Sequence, residues 1–214
     1  MTTLFNHPYF NREYIETTYS EILNDCISKL RSTQTNRFVY EHSLKVAQVA
    51  LYIHYLISPT HQVNFNNLLI GGLLHDITKT RSLTSKEKHA ITGGIAAKEL
   101  GCPDEICDII SQHVDPIKEK GKLTEIDIVC YADKRVKWDI FVTMEERMKD
   151  IYERYSRYMN EQQKQRDEIY LVIEKEIGEI AERNGKKKEY EEFISTSQDG
   201  TMERFKGISS DELL

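Results

Sequence analysis

Apolar residues recur at three- and four-residue steps along almost the whole chain, and this spacing constrains the fold more than any other feature. The first clear case covers about residues 11–31, and a second reaches Ile57, where Ser58 and Pro59 stop it. Such a repeat places apolar side chains on one face of an α-helix, whereas a half-buried strand requires alternation. No alternating stretch is evident. The pattern predicts an all-α protein.

Two Thr-x-x-Glu patterns are typical of helix starts, because each side chain can bond to the backbone N–H of the other residue. Thr84 and Glu87 form the first pattern and predict the start of a fourth helix. Thr143 and Glu146 form the second and predict a helix to about Met159. Further helices are predicted from Pro103 to Asp115-Pro116, from Thr124 onward, and up to a last one that ends before Gly185.

Overall charge and cysteine spacing narrow the class of protein. The net charge of −6 argues against a sequence-neutral nucleic-acid binder, which needs a basic surface. None of the four cysteines forms a C-x-x-C pair, and the longest apolar run, residues 68–74, is too short to span a bilayer. We therefore expect a reduced cytoplasmic protein without a membrane partner or a sequence-specific nucleic-acid partner.

Side chains able to bind a metal lie on the apolar faces of successive predicted helices. Each one alone could be a hydrogen-bonded core residue. Burying so many ionisable groups is costly, however, and one divalent cation with nitrogen and oxygen ligands would remove that cost for all of them together. The residues concerned are His42, the pair His75-Asp76, His89, His113 and Asp133.

Three stretches around these residues occur in a characteristic order: RFVYEHSLKVA at 37–47, LLHDITK at 73–79 and ADK at 132–134. Together they resemble the HD-domain superfamily of metal-dependent phosphohydrolases. The resemblance implies an all-helical fold and one or two divalent ions, with Mn, Fe, Co, Ni, Mg and Zn all open. It implies a first metal held by His42, His75, Asp76 and Asp133, and a possible second metal bound by His89 and His113.

On this basis we predict a single-domain helical bundle of the HD type with additional C-terminal helices. An N-terminal helix within residues 1–36 is expected to pack on the core. Residues 37–140 would form the metal-binding core, and residues 141–194 would add helices that complete the domain. Residues 195–214 are predicted to be a polar tail.

The resemblance also suggests catalytic roles. Asp76 would orient or deprotonate a metal-activated water, and Lys79 would stabilise the phosphate oxygens. Thr78 stands where many relatives have glycine. The side chains predicted to contact substrate are Lys79, His89, His113, Lys134 and Arg135.

Three functions remain open from the sequence. The leading one is hydrolysis of a phosphoester or phosphoanhydride in a nucleotide or similar small phosphorylated substrate. A di-iron oxygenase could use the same ligand scaffold. In the third, the metal is structural and the domain is a sensor or interaction module. The charged helices after Thr143 could then bind a partner, including a second copy of the chain in a homodimer.

Overall fold

The structure, a computed structural model, describes residues 3–115, 117–119, 121–155, 161–198 and 214. Helices make up most of this part of the chain, which confirms the predicted all-α class. Two short 3-10 helices, Leu4–Asn6 and Pro8–Phe10, come first. The α-helices are α1 (Arg12–Thr18), α2 (Ser20–Ser32), α3 (Arg37–Ile57), α4 (Phe65–Leu74), α5 (Lys79–Ser85), α6 (His89–Glu99), α7 (Asp104–Gln112), α8 (Glu125–Lys134), α9 (Met144–Tyr155), α10 (Glu161–Arg183) and α11 (Lys187–Ser195).

Helix α3 is the centre of the domain, and its second half is buried almost all round. Leu51, Ile53 and Leu56 are completely inaccessible to solvent. Helices α4, α8 and α10 pack around α3, so that side chains from several directions meet along it. A helix that is apolar on all sides belongs in the middle of a fold. The metal-capable residues are therefore carried by elements that share one core.

Several predicted helix ends agree with the structure. Helix α3 ends at Ile57, α8 begins with a capping box at Thr124, and Thr143 caps α9 through reciprocal bonds with Glu146. The predicted ends at Pro116 and Met159, and residues 199–213 of the predicted tail, lie outside the described residues.

Other boundaries were wrong. The predicted helix over residues 11–31 is divided at Tyr19, whose ψ of 29° departs from helical values. Thr84 does not start a helix: it lies inside α5 and donates to the Arg81 carbonyl, and α6 begins only at His89. The turn between them forms at Lys86, which is left-handed with φ of 58°. A polar segment such as α5 carries no apolar periodicity, so the pattern could not reveal it.

The chain after Asn184 contains a further helix, although the preceding helix was predicted to be the last. Helix α11 packs on α10 and buries Phe193 completely. A two-stranded antiparallel hairpin also interrupts the helical pattern, with β1 (Val136–Lys137) paired to β2 (Ile140–Phe141). Two residues per strand are too few to show alternation. None of the helices in the described ranges combines the length and apolar character needed to cross a membrane.

Glycines allow α4 to approach its neighbours closely. A Cβ added to Gly72 would lie 2.7 Å from the Cα of Ala47 on α3. A Cβ on Gly71 would lie 2.7 Å from Cγ2 of Ile109, which is a side-chain atom. Backbone cannot move aside without shifting a helix, whereas a side chain can rotate.

We therefore expect Gly72→Ala to lower the free energy of unfolding by about 2–3 kcal/mol, near the upper end for overpacked cores. Gly71→Ala is the matched control and should cost less, because Ile109 can adjust. Urea unfolding of both variants measures the difference. Equal stability of the two variants would contradict this account of the α3–α4 contact.

Candidate metal centre

The predicted metal ligands come from five helices and lie mostly at their ends. Helix α4 stops at Leu74, so the backbone turns where the His-Asp pair begins and the two side chains can reach one site. His89 is the first residue of α6, and His113 directly follows α7. The other ligands lie within helices, His42 on α3 and Asp133 in the last turn of α8.

One group of ligand atoms forms around Asp133. Its Oδ1 lies 3.0 Å from Nε2 of His42 and 3.9 Å from Nε2 of His75. The ligand atoms of these three residues all lie within 4.8 Å of one another. This spacing allows one cation to contact all three.

A second group forms around Asp76. Its Oδ2 lies 3.6 Å from Nε2 of His75, and its Oδ1 lies 3.1 Å from Nε2 of His89 and 3.4 Å from Nε2 of His113. Asp76 thus presents a different oxygen to each side, and His75 belongs to both groups. The six predicted ligands converge on one buried region.

The backbone determines which ring nitrogen of three histidines carries the proton. A carbonyl can only accept a hydrogen bond, so an Nδ1 beside it must carry the proton and donate. In a neutral ring, Nε2 then has no proton and presents a lone pair. The three Nδ1–carbonyl contacts are His42 to Trp138 at 2.5 Å, His75 to Gly72 at 2.8 Å and His113 to Ile110 at 2.7 Å.

In the neutral rings these lone pairs face the carboxylates of Asp76 and Asp133, an arrangement that is unfavourable unless a positive charge, a bound cation or a ring proton, lies between them. Nε2 of His75 and Oδ1 of Asp76 are both buried and have no hydrogen-bond partner among the described residues. Neutral imidazole and carboxylate oxygen are the donors that divalent transition metals prefer. The donor set therefore fits such an ion.

Burial and nearby charge favour the metal-binding protonation states. Burial lowers the pKa of His75 to about 3 despite the nearby Asp76, so its ring is neutral at ordinary pH. Burial raises the pKa of the Asp133 carboxyl, but Lys134, His42 and His75 together outweigh this effect and hold the pKa well below its usual value. The pKa of Asp76 is also well below normal, because His75, Lys79 and two further histidines beside the carboxylate together outweigh the effect of burial.

The two predicted lysines have different positions. Lys79 Nζ lies 3.7 Å from Asp76 Oδ1 and 3.3 Å from His89 Nε2, and about a third of its side chain is exposed. Lys134 Nζ instead lies 2.5 Å from Asp133 Oδ2, which leaves Oδ1 for the histidines. Lys79 is therefore open to an incoming anion, whereas Lys134 holds a ligand in place.

Arg135 was predicted to contact substrate, and that prediction was wrong. Its guanidinium is fully buried and lies 4.5 Å from the ring centroids of both Phe141 and Phe193. It donates to the carbonyls of Val142 at 2.7 Å and Phe193 at 2.8 Å. Residues two positions apart on a helix point in nearly opposite directions, so Arg135 points away from the site that Asp133 faces.

We expect Arg135→Lys to lower the free energy of unfolding by about 2–4 kcal/mol, because an ammonium cannot keep the planar, forked set of hydrogen bonds. Chemical denaturation measures this loss. The KM of the folded fraction should stay unchanged. A raised KM with normal stability of the variant would instead indicate that Arg135 contacts the substrate.

Two contributors to the site were missed from the sequence. The Trp138 carbonyl is one. Every residue has a backbone carbonyl, so the residue type does not indicate this contact. Thr78 is the other: its hydroxyl donates to the His89 carbonyl at 2.8 Å and lies 3.0 Å from the Thr92 hydroxyl. Thr78 has φ of −107°, so this position does not require glycine.

Comparison with known proteins agrees with this geometry. The profile of the HD domain matches residues 39–137. Ribonuclease Y of Mycoplasma genitalium is 36% identical over 75 residues, which are 35% of this chain and 15% of that protein. The chain thus spans a small part of that relative. No solved structure matches the chain.

The match includes every residue of both ligand groups, and the HD family binds divalent metals. The ordered histidines and aspartates, their convergence and the family match all agree. Residues 39–137 therefore match the HD domain, the domain of the family that the ordered motifs resemble.

Proposed function

We propose that this protein hydrolyses a phosphoester or phosphoanhydride in a nucleotide or similar small phosphorylated substrate. The observation that supports this most is the convergence of histidine Nε2 atoms on two buried carboxylates, next to a lysine that is partly exposed to solvent. Such a site attracts a cation, and the cation and Lys79 together attract a phosphate.

His42, His75, Asp76 and Asp133 would hold a first ion, and Asp76 with His89 and His113 would hold a second. A divalent ion bound there would polarise a phosphoryl oxygen and lower the pKa of a water to about 7. Side chains of the protein would position the attacking water and accept its proton. With only the first ion bound, Oδ1 of Asp76, which has no hydrogen-bond partner among the described residues, would be available to orient the attacking water or accept its proton.

Lys79 supplies positive charge to the transferring group. Its stem extends from the first turn of α5, and its ammonium lies beside Asp76 and His89. Charge on the phosphoryl oxygens increases as the bond to the leaving group breaks, so a cation fixed at this point stabilises the transition state.

We expect Lys79→Met to reduce kcat/KM by about 10²–10³-fold, as for the loss of one transition-state donor. Metal content and unfolding free energy should change little, because Lys79 is partly exposed and binds no ion. Lys88→Met is the control, since Lys88 is exposed and adjacent to His89 in sequence. Normal turnover of the Lys79→Met variant would show that Lys79 takes no part in catalysis.

The function itself is tested by a phosphate-release screen over mono-, di- and polyphosphorylated nucleosides with the metal-loaded protein. Ribonuclease Y is by name a nuclease, so a short oligoribonucleotide belongs in the screen. The net charge of −6 favours a small substrate over a long polyanion. Activity restored by manganese, cobalt or nickel would exclude the iron-dependent oxygenase. A metal-loaded protein that releases no phosphate from any substrate would favour a sensor.

A further inference from the structure

Trp138 has an unusual position beside the metal centre. It lies between β1 and β2 with φ of 60°, a left-handed conformation that bulky residues rarely adopt. Its carbonyl lies 2.5 Å from Nδ1 of His42, so its backbone is one imidazole ring away from the ligand atoms. It is the single tryptophan of the chain, and 47% of its surface is exposed. An exposed indole in a strained backbone next to a metal ligand suggests a binding role.

A cavity of about 570 Å³ opens beside this residue, within the range of small-molecule sites. The hairpin forms one wall and α9 forms another. Ser197 and Gln198 form a third, which is attached to the hairpin through Gln198 N–H to the Phe141 carbonyl at 2.8 Å and Phe141 N–H to Gln198 Oε1 at 3.1 Å.

The charges in the cavity wall are not arranged for an anion. Asp150 is surrounded by Lys137 at 2.8 Å, by Arg147 at 3.1 Å and by Arg154. Glu146 and Glu153 line the same cavity and add negative charge, and Lys149 is the other lining cation. The positive charge there is therefore largely compensated, and a phosphate gains more at the metal centre with Lys79. The cavity is better suited to an uncharged group that carries polar edges.

The Trp138 ring provides a stacking surface for such a group. The guanidinium carbon of Arg154 lies 5.9 Å from the ring centroid and covers one face of the indole. An aromatic ring has two faces, and a cation on one of them leaves the other for a planar partner.

We propose that the cavity binds the planar aromatic part of the substrate, of the nucleobase class, stacked on Trp138 while its phosphate lies at the metal centre. This inference rests on the proposed function, because it assigns the two ends of one substrate to two neighbouring sites. It also narrows that function to aromatic phosphoesters such as nucleotides.

The single tryptophan makes the first test direct. Adenosine, which lacks phosphate, is titrated into the metal-loaded full chain while tryptophan fluorescence is followed. Stacking predicts saturable quenching, and glycerol at the same concentrations should cause none. Quenching that is absent, or that increases linearly without saturation, would overturn the proposal.

The second test compares substrates. For each variant, kcat/KM is measured with a nucleoside monophosphate and with glycerol phosphate. Trp138→Gly suits the left-handed backbone and should lower the nucleotide-to-glycerol phosphate ratio about tenfold or more, the scale of one lost base stack. Trp138→Tyr keeps a ring and should hold the ratio within about threefold. Tyr152→Ala, an exposed aromatic that does not line the cavity, is the control.

An unchanged ratio in Trp138→Gly would overturn the inference even if adenosine quenches. The two proposals fail differently. If glycerol phosphate is hydrolysed but neither quenching nor the ratio responds, the cavity assignment is wrong and the hydrolase remains. If no phosphoester is hydrolysed while adenosine still quenches saturably, the hydrolase is wrong and the aromatic site remains.

Discussion

Asp76→Asn is expected to abolish turnover, with a loss of about 10³-fold or more, and to remove bound metal. The two oxygens of Asp76 face different ligand groups, Oδ2 towards His75 and Oδ1 towards His89 and His113. Asparagine has the same shape as aspartate but no charge. Both ligand groups therefore lose the negative charge that the Asp76 carboxylate supplies. Elemental analysis and phosphate release measure the two effects on the same preparation.

Asp127→Asn provides the matched control. Asp127 is also a buried aspartate, but it closes the capping box of α8 through Thr124 and takes no part in either ligand group. This variant should lose some stability and keep its metal. An Asp76→Asn protein with normal metal content and full activity would refute the proposed centre.

Removing the metal with a chelator should eliminate activity and also lower the melting temperature. Without the ion, the carboxylates of Asp76 and Asp133 and the lone pair of His75 remain buried. The two negative charges then repel each other and the lone pair. An ion at about 100 to 1,000 times its Kd stabilises the folded state by about 3–4 kcal/mol. In a chain of this size that corresponds to about 6–16 °C.

Calorimetry at a fixed metal concentration, before and after chelation, measures this shift. Adding back single metals identifies which ones restore both stability and phosphate release. The number of equivalents needed distinguishes one ion from two. A melting temperature unaffected by chelation, in a protein that still hydrolyses substrate, would contradict a metal-dependent site.

The helical class and the candidate ligands could be predicted from local information. Periodicity identifies amphipathic helices because one face must be buried, and it located the end of α3 at Ile57 correctly. Capping patterns worked at Thr124 and Thr143 but failed at Thr84. At Thr84 a preceding polar helix already occupied the residues, and a cap pattern does not exclude that.

The roles of individual side chains depended on direction, which spacing alone does not determine. Lys134 and Arg135 are neighbours with the same charge, yet one binds Asp133 and the other is enclosed by Phe141 and Phe193. The difference comes from the 100° turn per helical residue, together with the position of helices far along the chain. From the sequence, both residues were predicted to contact substrate.

The sequence by itself determined that the chain is helical, through the helical repeat, and which histidines and aspartates are candidate ligands, through their order and local motifs. Only the tertiary structure decided how those residues meet, since the contacts around Asp76 and Asp133 bring together residues within or next to five helices. It also decided which nitrogen of each histidine faces the metal site, through carbonyls such as that of Trp138. A contact to a backbone carbonyl does not depend on the type of residue that carries the carbonyl. Such contacts can therefore be identified only in the folded structure.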